Sequence, residues 1–163
     1  MTFAVLFIML TGFCFAADPA EGYWLSKDEN TNKVTGGWHI YQENGKLQGM
    51  MLSVSTFKEG VIASNCNESY KGFPVSGKVN QMPVAGTPWI FGLTMKKPGE
   101  WSSGSVINPE DGKLYACEMI FHPAGSRKFT TDTLEMKGKF LFISRSQFWE
   151  RTDRATASSL WPK

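Results

Sequence analysis

Along most of this chain, apolar and polar residues change over with a period of two, and helical spacing is nearly absent. Tyr115, Cys117, Met119 and Phe121 share one side of a run, as do Trp89, Phe91, Leu93 and Met95. Side chains two apart lie on one face of a strand, so such runs read as strands with a core-facing side. The predicted strands are Gly22 to Ser26, Trp38 to Gln42, Leu47 to Phe57, Trp89 to Met95, Glu100 to Ile107, Lys113 to Phe121, Lys128 to Met136 and Phe140 to Arg151. In the third of these, Met50, Leu52, Val54 and Thr56 are expected to point inward, and Gly49, Met51, Ser53 and Ser55 outward.

Turn chemistry separates these runs. Asn44-Gly45 accepts positive φ at both central positions and marks a hairpin. Asn108-Pro109-Glu110-Asp111-Gly112 supplies a Pro that presets φ and a Gly that closes the turn. His122-Pro123-Ala124-Gly125 and Lys137-Gly138-Lys139 are predicted turns as well. Residues 58–88 carry Gly60, Gly72, Pro74, Gly77, Pro83, Gly86 and Pro88, which break any long element. A loop of this length is expected to be functional, here as a partial cover. Eight or so antiparallel strands fit a sandwich or a barrel. The expectation is an all-β fold, a single antiparallel up-and-down barrel, because closure removes sheet edges that this chain does little to protect.

At the N-terminus the pattern changes. Phe3 to Phe15 is an apolar run followed by Ala16-Ala17 and then Asp18-Pro19. It is shorter than the ~20 residues a membrane helix needs, and its shape is that of a secretory signal peptide. Cleavage after Ala16 would put Cys14 and Ala16 at the two positions requiring small residues; no Lys or Arg precedes the run. Cys14 after Leu10-Thr11-Gly12-Phe13 also loosely resembles a lipoprotein signal, with a bulky Phe13 where a small residue is usual. The expected organisation is signal peptide 1–16, barrel domain 17–151 and polar C-terminal tail 152–163 anchored by Leu160-Trp161, with no transmembrane segment and a working place outside the cytoplasm.

The formal net charge is +2 and its charges are interspersed, which argues against a nucleic-acid partner. Cys66 and Cys117 remain after processing, and in an oxidising compartment they are expected to form a disulfide; two separate thiols are the alternative. Such a bridge would contribute ~3–4 kcal/mol by restricting the unfolded chain.

Several motifs occur in order. Asp18-Pro19-Ala20-Glu21-Gly22-Tyr23-Trp24 resembles the D-P-x-x-G-x-W of bacterial secreted proteins grouped as domain of unknown function family 2147. Gly72-Phe73-Pro74-Val75-Ser76-Gly77 resembles its G-x-P-[IV]-x-G, and Arg145-Ser146-Gln147-Phe148-Trp149-Glu150-Arg151 its closing R-x-Q-x-W-x-R. Trp101-Ser102-Ser103-Gly104 with Ile107 to Tyr115 is similar to W-x-G-G…I-x-D-P-x-x-G-K-x-Y, with Ser103 for Gly and Asn108 for Asp. The resemblance implies a periplasmic or secreted bacterial protein with a lipocalin-like barrel and no established activity. Barrels of this kind place a G-x-W Trp under an Arg of the last strand, roles that Gly22, Trp24 and Arg151 would fill. Gln147 and Trp149 are likewise assigned to structure.

Catalytic chemistry is poorly represented. Nucleophilic catalysis needs a Ser or Cys beside an oriented base, and only His39 and His122 are available. No metal-ligand spacing and no cofactor motif stands out, so neither enzyme activity nor a cofactor is expected. A barrel interior is the remaining candidate. Tyr41, Trp89, Phe91, Trp101, Tyr115, Met119 and Phe142 are the candidate lining residues, the alternative being that they fill the interior solidly. Met50 and Met51 would make such a pocket adaptable. The expected partner is a small apolar or amphipathic molecule. The alternative is an interaction module binding a protein or envelope polymer through its surface and long loop. An envelope hydrolase would need a converging His or carboxylate pair.

Overall fold

The computed structural model describes residues 17–126, 128–141 and 143–162. Eight strands follow one another: β1 (Gly22–Lys27), β2 (Val34–Glu43), β3 (Lys46–Val54), β4 (Ile90–Lys97), β5 (Glu100–Ile107), β6 (Leu114–His122), β7 (Thr133–Phe140) and β8 (Ile143–Thr152). Each pairs antiparallel with the next, and β8 returns to β1, closing the barrel. The expected signal peptide, its cleavage point and Cys14 lie outside the described residues.

Turn residues behave as their chemistry dictates. Asn44 and Gly45 sit at φ 51 and 72 between the paired Glu43 and Lys46. The Asn108 side chain accepts from the Glu110 amide at 3.1 Å, so Asn serves there as Asp would.

One end of the barrel is sealed. The Asp18 carboxylate accepts from the Gly99 amide at 2.9 Å and the Trp101 indole at 3.0 Å, pinning the N-terminal segment across that end. The Trp24 indole donates to the Ala20 carbonyl at 2.9 Å. Arg151 lies 4.2 Å from the Trp24 ring centre and donates to the Pro19 and Glu21 carbonyls and to Asp132. Gly22 holds φ 129, and a Cβ there would meet Arg151 at 2.8 Å, so glycine is needed beneath the guanidinium. Leu47, Leu93, Met119 and Leu134, all fully buried, fill the space behind this plug.

Four expectations are corrected. In β3 the register slips opposite Gly37/Trp38, so Gly49 and Met51 are buried on the side of Trp38, while Met50 and Leu52 are half-exposed. In β4 the alternation breaks at Gly92, φ 76, which puts Ile90 and Leu93 inside and leaves Met95 exposed. Gly138 is not a turn residue: it lies within β7 opposite Arg145, and the connection falls at Leu141. Residues 58–88 are no cover. They are clamped to the barrel's side, with Phe73 5.3 Å from Phe91 and the Tyr70 hydroxyl donating to the Gly112 carbonyl at 2.7 Å.

Two further details depart from the pattern. Ser103 holds φ 60 at a bulge within β5, outside the turn and at a position glycine would take without cost. The C-terminal tail forms a short helix, α1 (Arg154–Ala157), that docks on the barrel's outside. There the Ser53 hydroxyl donates to the Ala157 carbonyl at 2.6 Å, and a Cβ on Gly37 would overlap Ala157.

Lysine in place of Arg151 keeps the charge but loses the planar fork that serves two carbonyls and a ring at once. Arg151→Lys is expected to cost ~1–2 kcal/mol, read as a lower urea midpoint at unchanged m-value.

Candidate functional site

The opposite end is hollow. A cavity of about 680 Å³ opens between the β1–β2, β5–β6 and β7–β8 connections. Its floor is a pair of stacked indoles, Trp38 and Trp149, with ring centres 5.0 Å apart and planes inclined by 23°. Met51 and Val54 of β3, Ile90 of β4, Val106 and Ile107 of β5 and Met136 of β7 form its apolar walls. Gly36 and Gly138 line it without side chains and leave room where neighbouring positions would fill it.

Polar side chains also line the cavity, mostly toward its rim, and several are engaged. The Ser26 hydroxyl accepts from the Trp38 indole at 3.1 Å and lies 3.2 Å from the Gly36 carbonyl, to which it donates. The Trp149 indole donates to the Gln147 side-chain oxygen at 3.2 Å. At the rim, Asp28 accepts from the Thr31 amide and hydroxyl, and those bonds hold its carboxyl below the usual range. Arg145 reaches Glu29 at 3.2 Å in an exposed pair.

Of the candidate lining residues, Tyr115 alone among the described ones borders this cavity. Tyr41 lies on the outer face of β2, stacked 5.1 Å from His39, which stacks in turn 4.8 Å from Tyr23. Trp89 and Phe91 are buried beneath the clamped segment against Phe73, and the Trp89 indole donates to the Val84 carbonyl. Trp101 and Met119 pair across β5–β6 in the sealed end. Phe142 lies outside the described residues. Residues assigned to structure line the site instead: Gln147 and Trp149. The alternation of β8 carried that signal, since Arg145, Gln147, Trp149 and Arg151 share one face.

The expected disulfide is absent: Cys66 and Cys117 are separate, buried thiols. Cys66 packs against the β5–β6 turn, where a Cβ on Gly112 would lie 3.1 Å from its Cα. Cys117 sits well up β6, and the three steps from Leu114 to Cys117 alone cover ~10 Å, beyond the ~7 Å a disulfide spans. Burial pushes the Cys66 thiol up, and burial followed by Glu118 pushes Cys117 up to about 12.

Among the described residues, neither histidine is hydrogen-bonded to a nucleophile. On the outer face His122 lies 2.9 Å from one Glu135 oxygen, and the Ser146 hydroxyl donates to the other at 2.9 Å. The carboxylate thus stands between imidazole and hydroxyl, and His122 does not reach the serine. Burial pushes the Glu135 carboxyl up, but His122, Ser146 and Lys137 together bring it below its ordinary value. Among the described residues, no three His, Cys, Asp or Glu side chains gather to hold a metal ion, and no helix is long and apolar enough to cross a membrane.

A family model described as an uncharacterized protein conserved in bacteria (DUF2147) matches residues 22–151. The chain belongs to this family. Among solved structures it is similar to protein HP1028 from the human pathogen Helicobacter pylori, described as belonging to the lipocalin family. That likeness has a TM-score of 0.63 at 15% identity and covers 86% of this chain and 88% of the other. No curated protein matches the sequence. As a DUF2147 protein the chain has a lipocalin-like fold, which says nothing of what fills it.

Two outcomes follow for the titratable groups. Both thiols of native protein are expected to resist Ellman's reagent at pH 8 and to react once it is unfolded, and reductant is expected to leave Tm unchanged. Burial and then Arg154 hold the His39 ring below its ordinary value, against an opposing pull from Glu21. The unfolded chain therefore takes up that proton first, so stability should decline as pH falls below about 6.5 and level off below the folded value. His39→Phe is expected to flatten this slope in urea midpoints taken between pH 7.5 and 5.5.

Proposed function

We propose that the protein is exported with residues 1–16 removed and binds a small apolar or amphipathic molecule inside its barrel, without catalysing a reaction on it. The observation that carries this reading is the open cavity of about 680 Å³, floored by Trp38 and Trp149 and walled by Met51, Ile90, Ile107 and Met136. This volume falls within the ~300–1,000 Å³ usual for small-molecule sites. Stacked indoles offer a polarizable surface, and the two methionines adapt to an irregular ligand. The fold shared with HP1028 agrees with a container but does not name its content. A surface module working through residues 58–88 is the weaker reading, since that segment is packed down on β4 and the β5–β6 turn.

Gly138 offers a direct test. It lines the cavity, its φ is ordinary, and a Cβ there would meet nothing within 4 Å. Gly138→Phe is expected to plug the cavity while leaving Tm within a few degrees. The chain from Ala17 onward, which holds every described contact, should show saturable tryptophan fluorescence changes with an apolar probe such as N-phenyl-1-naphthylamine. Plugging should weaken that binding at least tenfold. Equal binding by wild type and Gly138→Phe would place the probe elsewhere and overturn the proposal.

A further inference from the structure

The closing motif, Arg145-x-Gln147-x-Trp149-x-Arg151, lies along one face of β8 and runs from the mouth of the barrel to its plug. Arg151 caps Trp24 at the sealed end and Trp149 forms part of the floor. Gln147 and Arg145 are left facing the hollow.

Hydrogen-bond accounting gives these two a task beyond packing. The Gln147 oxygen accepts from the Trp149 indole, which fixes the amide so that its nitrogen is the end left over. Among the described residues that nitrogen has no acceptor. Ser26 and both indole N–H groups nearby are already engaged. Among the described residues Arg145 pairs with Glu29 alone, with 73% of its side chain exposed, and such a pair is weak and displaceable. Opposite Arg145 stands Gly138, which keeps the space beside both donors open. Four strands away around the ring, Ile90 and its neighbours Met51 and Ile107 present no donor. Below the rim, where Thr56 and Asn108 stand, the cavity therefore has a donor wall facing an apolar wall.

We propose that Arg145 and Gln147 select an amphipathic ligand whose head group is anionic and accepts hydrogen bonds, as a carboxylate does. Its head lies against β8, displacing Glu29 from Arg145 and accepting from the Gln147 amide, and its apolar body crosses to the β3–β5 wall. Charge-assisted bonds of this kind are the strong ones, and Arg suits a planar carboxylate. The inference rests on the cavity reading above. Asp28, Glu29 and Glu110 on the rim favour the opposite sign, so the test includes a cationic probe.

The test titrates the chain from Ala17 with dodecanoate, dodecanol and dodecylamine below their micelle concentrations, following tryptophan fluorescence. Wild type is expected to prefer dodecanoate to dodecanol by about tenfold. Arg145→Gln and Gln147→Leu should each bring that ratio close to one. Gln147→Glu keeps an acceptor for Trp149, and so keeps the floor, but loses the donor; it should reverse the preference toward dodecylamine. Equal wild-type affinity for all three probes, tightest binding of dodecylamine, or a ratio unmoved by these variants would overturn the donor wall while leaving the cavity in place. If no probe binds and N-phenyl-1-naphthylamine ignores the Gly138→Phe plug, both readings fail.

Discussion

Closure of the ring depends on one contact, the guanidinium of Arg151 laid over the indole of Trp24. A barrel without edges must join its last strand to its first, and β1 and β8 share only a short register, from Tyr23↔Thr152 to Leu25↔Glu150. Trp24 and Arg151 are the middle pair of that seam. Donation from the same guanidinium to Pro19 and Glu21 fastens the N-terminal segment over the end of the barrel. One side chain thus closes the sheet laterally and plugs it axially. A planar, permanently charged group with five donors is suited to that double duty, and a flexible ammonium is not.

Sealing one end decides where empty space is left. Toward the plug the interior positions are Trp24, Leu93, Trp101 and Met119, large side chains that exclude water. Toward the mouth they include Gly36, Ser26 and Gly138, which are too small to meet across a barrel. Trp38 and Trp149 mark the boundary between the two regimes. The hollow is thus a consequence of side-chain size along the strands, and one large residue at Gly138 would undo it.

Much of this architecture was legible in the alternation of apolar residues, because period two fixes faces and turn residues fix connections. The barrel and the Asn44-Gly45 hairpin follow from such local signals, whereas the Trp24–Arg151 pairing came from the family resemblance. The candidate site was less legible, for reasons that can be named. Bulges at Leu52, Gly92 and Ser103 shift the phase mid-strand, and no short window of sequence shows which partner strand forces the slip. Alternation and an aromatic ring point Tyr41 inward, yet its outward position is satisfied by stacking on His39. Aromatic residues such as Trp89 and Phe91 are buried by the clamped segment as effectively as by a barrel interior. The two cysteines share a compartment but not a neighbourhood, and separation in space is invisible in a count.

Gly138 and Gln147 show why composition misleads about hollow sites. A glycine between two lysines has the composition of a turn, and a glutamine two residues from a tryptophan has that of a packing partner. Both belong to the cavity because of what they omit: the glycine omits a side chain, and the glutamine, once its oxygen is taken by Trp149, leaves a donor with no acceptor among the described residues. The same strand face that closes the barrel through Arg151 thereby carries its unused hydrogen-bonding capacity toward the mouth. Strand β8 is fixed at one end by the plug and at its middle by the indole pair, and the Trp149 indole holds the Gln147 amide in place. A donor held in this way costs little further ordering when a ligand arrives, and that is the condition under which its hydrogen bond discriminates one head group from another.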